Sequence, residues 1–301
     1  MRKIARAATI DAAYGFFFRN IISIIGIVWF PALIFAGVAA AVIATVVPHE
    51  WLFTPFNGPM DFETFAETRL SVFMTATPMI GFVGLVTVSM MRVGILERVL
   101  GNRTGLTLFY FSLGGRVWRM AGAAVLAGIV MGAVALVEIV AGVALHFAVS
   151  AIPNIALGLV ILFDVLQVIA WIVALIYIGI RLFFFLPAVI VAENRIGFRR
   201  AWSLGAGNVG RALVVLLAIV VPICFVTGII SEFSVMPALF PVMEKFSSQP
   251  DPEMAGTFLK ALLPVLPVML VIHLIGALVI TGTLLGAIGK AYQVVAADET
   301  V

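Results

Sequence analysis

Long apolar stretches alternate with short polar ones along the whole chain. A helix of about 20 residues crosses the ~30 Å hydrocarbon core of a bilayer, and apolar stretches at least about that long occur repeatedly. They cover residues 21–47, 70–91, 117–149, 155–186, 210–231 and 261–288. The pattern predicts an all-α fold, a polytopic integral membrane helix bundle with six transmembrane helices in a single domain over residues 1–301. The first stretch is too long for a signal-peptide core and no small-residue cleavage site follows it, so we expect it to remain as a helix.

The composition strengthens this prediction. Hydrophobic residues make up 63% of the chain and charged residues only 11%, whereas soluble domains contain about 45–50% apolar and about 25% charged residues. The lone Cys224 lies inside the fifth apolar stretch. No disulfide framework is therefore predicted.

Basic residues concentrate at one set of span ends. Of 18 Lys and Arg residues, all but Arg69, Lys245 and Lys260 lie at the ends that share a side with the N terminus. The positive-inside rule then predicts a multi-pass protein of the bacterial inner membrane with both termini in the cytoplasm. The net charge of +3 is explained by this topology and by anionic lipid headgroups. Membrane lipids are thus the expected partners, and nucleic acid is not.

A short pattern recurs on the predicted cytoplasmic side. Phe111-Ser112-Leu113-Gly114 precedes the third span and Trp202-Ser203-Leu204-Gly205 precedes the fifth, each after a short amphipathic stretch. With a weaker third copy at the start of the chain, the pattern predicts a threefold helix-span-span repeat over residues 8–91, 92–186 and 187–290. The amphipathic stretches are predicted to be interfacial elbow helices. Glycine then permits the sharp bend from an interfacial into a spanning helix.

The sequence Gly-Ala-Gly-Asn-Val-Gly at residues 205–210 also matches the dinucleotide-binding spacing G-x-G-x-x-G. That motif needs a strand before it, a soluble helix after it and an acidic residue about 20 positions further on. Here an arginine-rich amphipathic segment precedes and a span follows, while the first acid downstream, Glu232, is predicted on the far side of the membrane. We therefore predict that the chain binds no nucleotide and no other cofactor.

Glu138 and Asp164 are the only acids inside the predicted spans, and each costs about 2.5–3.5 kcal/mol if charged at a helix centre. They lie equally far on either side of Ala151, in the turn between spans three and four. Antiparallel packing is thus expected to bring them level near the midplane, with His273 of span six at similar depth and Gln167 one turn from Asp164. They are candidates for a substrate or proton pathway. The other interpretation is that they are hydrogen-bonding groups that hold the helices together.

Signatures of enzymes and metal sites are missing from the sequence. It contains no H-E-x-x-H, no G-x-S-x-G and no phosphate-binding loop, and its 3 His and 1 Cys show no metal-ligand spacing. Basic and aromatic residues on the cytoplasmic side are candidates for contacting lipid headgroups. They are Arg116, Arg119, Arg195, Arg199, Arg200 and Trp202.

Two G-x-x-x-G pairs predict close helix contacts within the subunit, with a partner protein or in a homo-oligomer. The first pair is Gly128 and Gly132 in span three. The second is Gly282 and Gly286 in span six.

The segment LPAVIVAENRIGFRRAWSLGAGNVGRALVVL, residues 186–216, resembles the membrane domain fused to some bacterial glycerophosphodiester phosphodiesterases. Related freestanding six-span bacterial membrane proteins of unknown function look similar. The resemblance implies a membrane module connected with lipids or the cell envelope. The soluble phosphodiesterase domain is absent from this sequence, so its hydrolase activity is not implied.

These observations favour a non-enzymatic inner-membrane module that faces lipid or binds a partner, linked to membrane lipid or envelope maintenance. One alternative is a small secondary transporter or proton-linked permease that uses the midplane acids. A second alternative is an intramembrane enzyme with the same residues. A polar cavity that reaches the midplane is expected for a transporter, whereas a packing module is expected to fill that level with side chains.

Overall fold

The computed structural model describes residues 3–46, 62–153, 156–248 and 261–297, and their side chains except at 46, 62–73 and 245–248. These ranges contain helices and no strand. The helices are α1 Arg6–Val46, α2 Phe62–Val99, α3 Gly115–Ser150, α4 Leu157–Phe183, α5 Leu186–Glu193, α6 Phe198–Gly205, α7 Val209–Ser248 and α8 Leu266–Ala296. Six of them are long and apolar enough to cross a membrane. The predicted all-α, six-span architecture is confirmed, and the chain is a multi-pass membrane protein.

The elbow predicted before span five forms a separate short helix, α6. Asn194 ends α5 in a left-handed conformation with φ of 54°, and four residues later α6 begins. Ala201 and Leu204 of α6 are buried while Arg199 is exposed. The corresponding amphipathic stretches before spans one and three continue within α1 and α2.

The tightly packed part of the bundle lies at the end that carries the termini. There α1 packs against α2 and α8, and α8 packs against α7. Fully buried side chains come from the first half of α1, the last turns of α2 and α8, the first turns of α7, the α4–α5 junction and the short helices. They include Phe17, Ile24, Met90, Phe185, Ile190, Leu204, Ile219 and Ala287. Toward the opposite end most apolar side chains of α3 and α4 are exposed, as expected for helices that face lipid.

The two G-x-x-x-G pairs differ in their surroundings. A methyl group at Gly282 would lie 2.7 Å from the Phe17 ring, and one at Gly286 would lie 3.1 Å from the Phe16 ring. This pair therefore mediates a helix contact within the chain, as predicted. Methyl groups at Gly128 and Gly132 would meet nothing within 4 Å, so this pair faces away from the rest of the described chain.

The threefold repeat stays a prediction. Its two clearer copies have different local structures, because residues 111–114 are irregular whereas residues 202–205 belong to α6.

Candidate functional site

A cavity of about 730 Å³ lies between α1, α2, α4, α5, α7 and α8. Its volume falls within the range of about 300–1,000 Å³ that is typical of ligand pockets. Most of its wall is hydrocarbon. The apolar lining includes Phe35, Gly84, Phe183, Leu274, Leu278, Leu284 and Ile288.

One charged side chain, Arg92 of α2, lines this space, which we call the Arg92 cavity. Among the described residues it has no hydrogen-bonding or ionic partner. Thr87, which also lines the cavity, donates its hydroxyl hydrogen within α2, with Val83 O at 2.9 Å and Gly84 O at 3.1 Å. Since arginine keeps its proton in proteins, the cavity holds an uncompensated positive charge.

The charge sits at one end of the cavity. From Arg92, α2 continues through Glu97 to Val99, so the Arg92 backbone lies about 10 Å from the helix end. Gly84 is eight residues earlier on α2 and lies about 12 Å further from that end. The Arg92 cavity thus has a cationic end and an apolar body.

Sequence reasoning misses this site because the second predicted span ends at Met91, which leaves Arg92 among the basic residues outside the span. The available signal was the continuation of apolar residues beyond it, since Val93, Ile95 and Leu96 are all buried in the core.

A second cavity, of about 490 Å³, lies along the seam between α3 and α4; we call it the hairpin cavity. Three of the predicted residues line it, namely Glu138, Asp164 and Gln167, together with His146 and Trp171. His146 Nδ1 is 3.0 Å from each carboxylate oxygen of Asp164. In the described ranges no three His, Cys, Asp or Glu side chains are grouped so that they could hold a metal ion.

The register of the hairpin differs from the predicted one. Asp164 lies opposite His146, and a methyl group at Gly142 would overlap Gln167 Nε2. One turn further along each helix, this register brings Glu138 level with Trp171, so the two acids share a cavity without being level. The reason is the turn: α3 ends at Ser150 and α4 begins at Leu157, so its centre lies after Ala151.

His273 lies apart from the two acids. It does not line the hairpin cavity, and its Nδ1 is 2.7 Å from Met269 O, one turn earlier on α8. A similar depth along the span does not make His273 a neighbour of the acids, because α8 packs against α1, α2 and α7 instead.

Two of the predicted headgroup-binding arginines are held by Glu193. Arg195 Nη2 is 2.7 Å and Arg200 Nε is 3.1 Å from the Glu193 carboxylate. The Tyr292 hydroxyl donates to the same carboxylate over 3.1 Å. Glu193 therefore joins the α5–α6 connection to α8.

Two further candidates for headgroup binding, Arg116 and Arg119, also make contacts within the chain. Arg116 donates to Glu97 Oε1 over 2.8 Å, and Arg119 donates to Asn194 Oδ1. These arginines hold α2, α3 and the α5–α6 connection together.

The aromatic candidate, Trp202, has its ring 4.0 Å from the guanidinium carbon of Arg181. Arg199 is exposed on α6. Of the candidate residues it is the one best placed to reach a lipid headgroup.

Comparisons with family models, with curated proteins and with solved structures found no match. The resemblance to phosphodiesterase-linked membrane domains therefore stays a prediction. The fold and its cavities define a class, a polytopic α-helical membrane protein with an amphipathic cavity between its helices.

Proposed function

We propose that the chain is a non-enzymatic module of the bacterial inner membrane that binds one anionic amphiphile in the Arg92 cavity. The observation that supports the proposal is the unpaired guanidinium at one end of an otherwise apolar cavity. The ligand class is a molecule with a phosphate or carboxylate head and an acyl chain, either a membrane phospholipid or a free fatty acid.

The Arg92 guanidinium determines which head group the ligand is expected to carry. A guanidinium binds carboxylate or phosphate oxygens through two parallel N–H donors, which gives both strength and orientation. An arginine at membrane depth costs about 2.5–3.5 kcal/mol or more when it has no partner. A bound anion offsets that cost, so the cavity favours a charged ligand over a neutral one.

The apolar lining of the Arg92 cavity determines which tail the ligand is expected to carry. Along α8 the lining runs from Ile288 to Leu274, a distance of about 21 Å. This length accommodates an extended hydrocarbon chain, whose burial contributes about 0.8 kcal/mol per CH₂ group when the chain comes from water. For a lipid that already lies in the bilayer this gain is small, and the charge contact decides the affinity.

A lipid has a lateral route to the cavity. α2 and α4 both line it, yet they share no extensive contact among the described helices. Val88 of α2, which lines the cavity, is 43% exposed. A lipid can therefore enter from the bilayer without leaving it.

Copurification of lipid with the protein in mild detergent tests this proposal. Lipids bound to wild type, Arg92→Met, Arg92→Lys and Arg6→Gln are quantified by native mass spectrometry. We expect Arg92→Met to lower the occupancy of anionic lipid about tenfold or more, because a hydrogen bond to a charged group contributes about 1.5–3 kcal/mol. Arg92→Lys retains the charge and is expected to be intermediate.

Arg6→Gln is the matched control, since it removes an exposed positive charge at the start of α1, outside the cavity, and is expected to leave occupancy unchanged. Equal occupancy in Arg92→Met and wild type would overturn the proposal. Reconstitution in nanodiscs containing either anionic phospholipid or fatty acid then distinguishes the two sources of the anionic head.

A further inference from the structure

Polar side chains follow one another in a file along the hairpin cavity. His146 and Asp164 lie nearest the turn, Gln167 comes next, and Glu138 and Trp171 lie deepest. The pairs are set by the observed register, in which His146 contacts Asp164 and Gly142 contacts Gln167. The file is separate from the Arg92 cavity and does not depend on the function proposed for it.

The file reaches from near one membrane surface to the middle of the bilayer. His146 is four residues before the end of α3 at Ser150, and Glu138 is twelve residues before it. These separations correspond to about 6 Å and about 18 Å of helix. With a hydrocarbon core of ~30 Å, Glu138 lies close to the midplane.

Polar groups in the file need hydrogen-bonding partners that hydrocarbon cannot supply. Trp171 Nε1 is buried and has no acceptor within the described part of the chain. The His146 and Asp164 side chains are 47% and 40% exposed at the cavity mouth. Leaving such groups against lipid costs several kcal/mol each, roughly. A cavity of about 490 Å³ with several donors and acceptors has both the room and the partners that water needs.

We propose that the hairpin cavity is a water-filled proton path that opens at the His146–Asp164 pair and ends at Glu138, which binds the proton. A proton from water at the mouth is exchanged by the imidazole–carboxylate pair, passes along water held by Gln167, and forms an O–H bond on the Glu138 carboxylate. Release reverses these steps, so protons are the only species transferred. Asp164 and His146 are the titratable groups that face Glu138 from α3 and α4 among the described residues.

The first test asks whether the cavity holds water. In a Cys224→Ser background, Gln167→Cys is compared with Leu166→Cys, whose parent leucine is 56% exposed, lies at nearly the same depth and does not line the cavity. A charged methanethiosulfonate reagent requires a hydrated thiolate. We expect Gln167→Cys to react at least about tenfold faster than Leu166→Cys, because desolvation suppresses thiolate formation on the lipid-facing side.

Equally slow reaction at the two positions would overturn the proposal, since the cavity would then be filled by lipid. A disulfide-linked dimer of the Gln167→Cys variant would also overturn it, because a second copy of the chain would then cover the seam.

The second test asks whether Glu138 binds a proton. Dicyclohexylcarbodiimide modifies protonated carboxyl groups, and labelling of the Glu138 peptide in liposomes is measured by mass spectrometry over a series of pH values. We expect labelling to fall as the pH rises and to be lost in Glu138→Gln. Asp164→Asn is expected to shift the midpoint while retaining the label.

Glu138→Asp keeps a carboxyl group and serves if Glu138→Gln does not fold. Labelling that is independent of pH, or a midpoint that Asp164→Asn leaves unmoved, would contradict a proton path and leave Glu138 a packing group.

Discussion

At the residue scale, the three glycines of residues 205–210 serve backbone geometry. A methyl group at Gly205 would lie 2.6 Å from the Arg181 carbonyl oxygen, because α6 packs directly on the end of α4. Gly207 has a φ of 72° in the turn between α6 and α7, and Gly210 has nothing within 4 Å of the position of a side chain. The match to the nucleotide-binding spacing therefore has no common cause. Gly205 is required by close packing and Gly207 by a positive φ, whereas no structural requirement for glycine is found at position 210.

These differences predict an order of stability for alanine substitutions. Gly205→Ala overlaps backbone and is expected to cost about 1–3 kcal/mol. Gly207→Ala places Cβ in the left-handed region and is expected to cost about 1–2 kcal/mol. Gly210→Ala in α7 is expected to be neutral or to stabilise by up to about 1 kcal/mol. Thermal inactivation of the purified variants in one detergent measures the order.

A different outcome would follow if these glycines bound a nucleotide. All three substitutions would then weaken saturable NAD binding, whatever their effect on stability. Finding such binding would show that the motif has its usual role.

At the scale of elements, residues 100–114 illustrate how an irregular segment packs against a membrane helix. Thr107 N donates to Ser23 Oγ over 3.3 Å, and Trp29 Nε1 donates to Leu108 O over 2.7 Å. These two backbone groups of the segment are therefore satisfied by side chains of α1. Its outward side chains are apolar and exposed, among them Leu106, Leu108, Phe109, Phe111 and Leu113.

Gly26 permits this contact, and its replacement is expected to release the segment. A methyl group at Gly26 would overlap Thr107 O, whereas one at Gly37 of the same helix would meet nothing within 4 Å. We expect Gly26→Ala to increase tryptic cleavage at Arg103 severalfold, because the segment must move away from α1, and Gly37→Ala to leave the cleavage rate at the wild-type value. Unchanged cleavage in Gly26→Ala would show that the segment does not depend on this contact.

The six spans could be predicted from sequence because each one is a single apolar run, and its length alone sets the structure. The register between α3 and α4 could not, because it depends on how many residues the turn consumes. Because the turn is longer than predicted, Asp164 lies level with His146 and not, as predicted, with Glu138. The Arg92 cavity itself could not be predicted, since it is formed by six helices that meet only in the folded bundle. The apolar residues that follow Arg92 indicate only that this residue lies within the second span.

At the scale of the whole molecule, tight packing and positive charge are concentrated at the same end of the bundle. The buried core lies at the end where most basic residues lie, and ion pairs of Glu97 and Glu193 connect its helices. Toward the other end α3 and α4 expose most of their apolar side chains. The molecule therefore combines one tightly packed end with a loosely packed end that faces lipid, and the polar ends of its two cavities point in opposite directions.

The direction of this polarity in the membrane is a further prediction. Because basic residues favour the cytoplasmic side, we expect the packed end, with the Arg92 head site, to face the cytoplasm and the mouth of the hairpin cavity to face the outside. In a Cys224→Ser background, Arg199→Cys on α6 and Gln249→Cys, which lies outside the described residues, are labelled with an impermeant maleimide. Intact cells are expected to label position 249 alone, and permeabilised cells both positions. Labelling of position 199 alone in intact cells would reverse the orientation. Protons would then enter the hairpin cavity from the cytoplasm, and Arg92 would draw its anionic ligand from the outer leaflet.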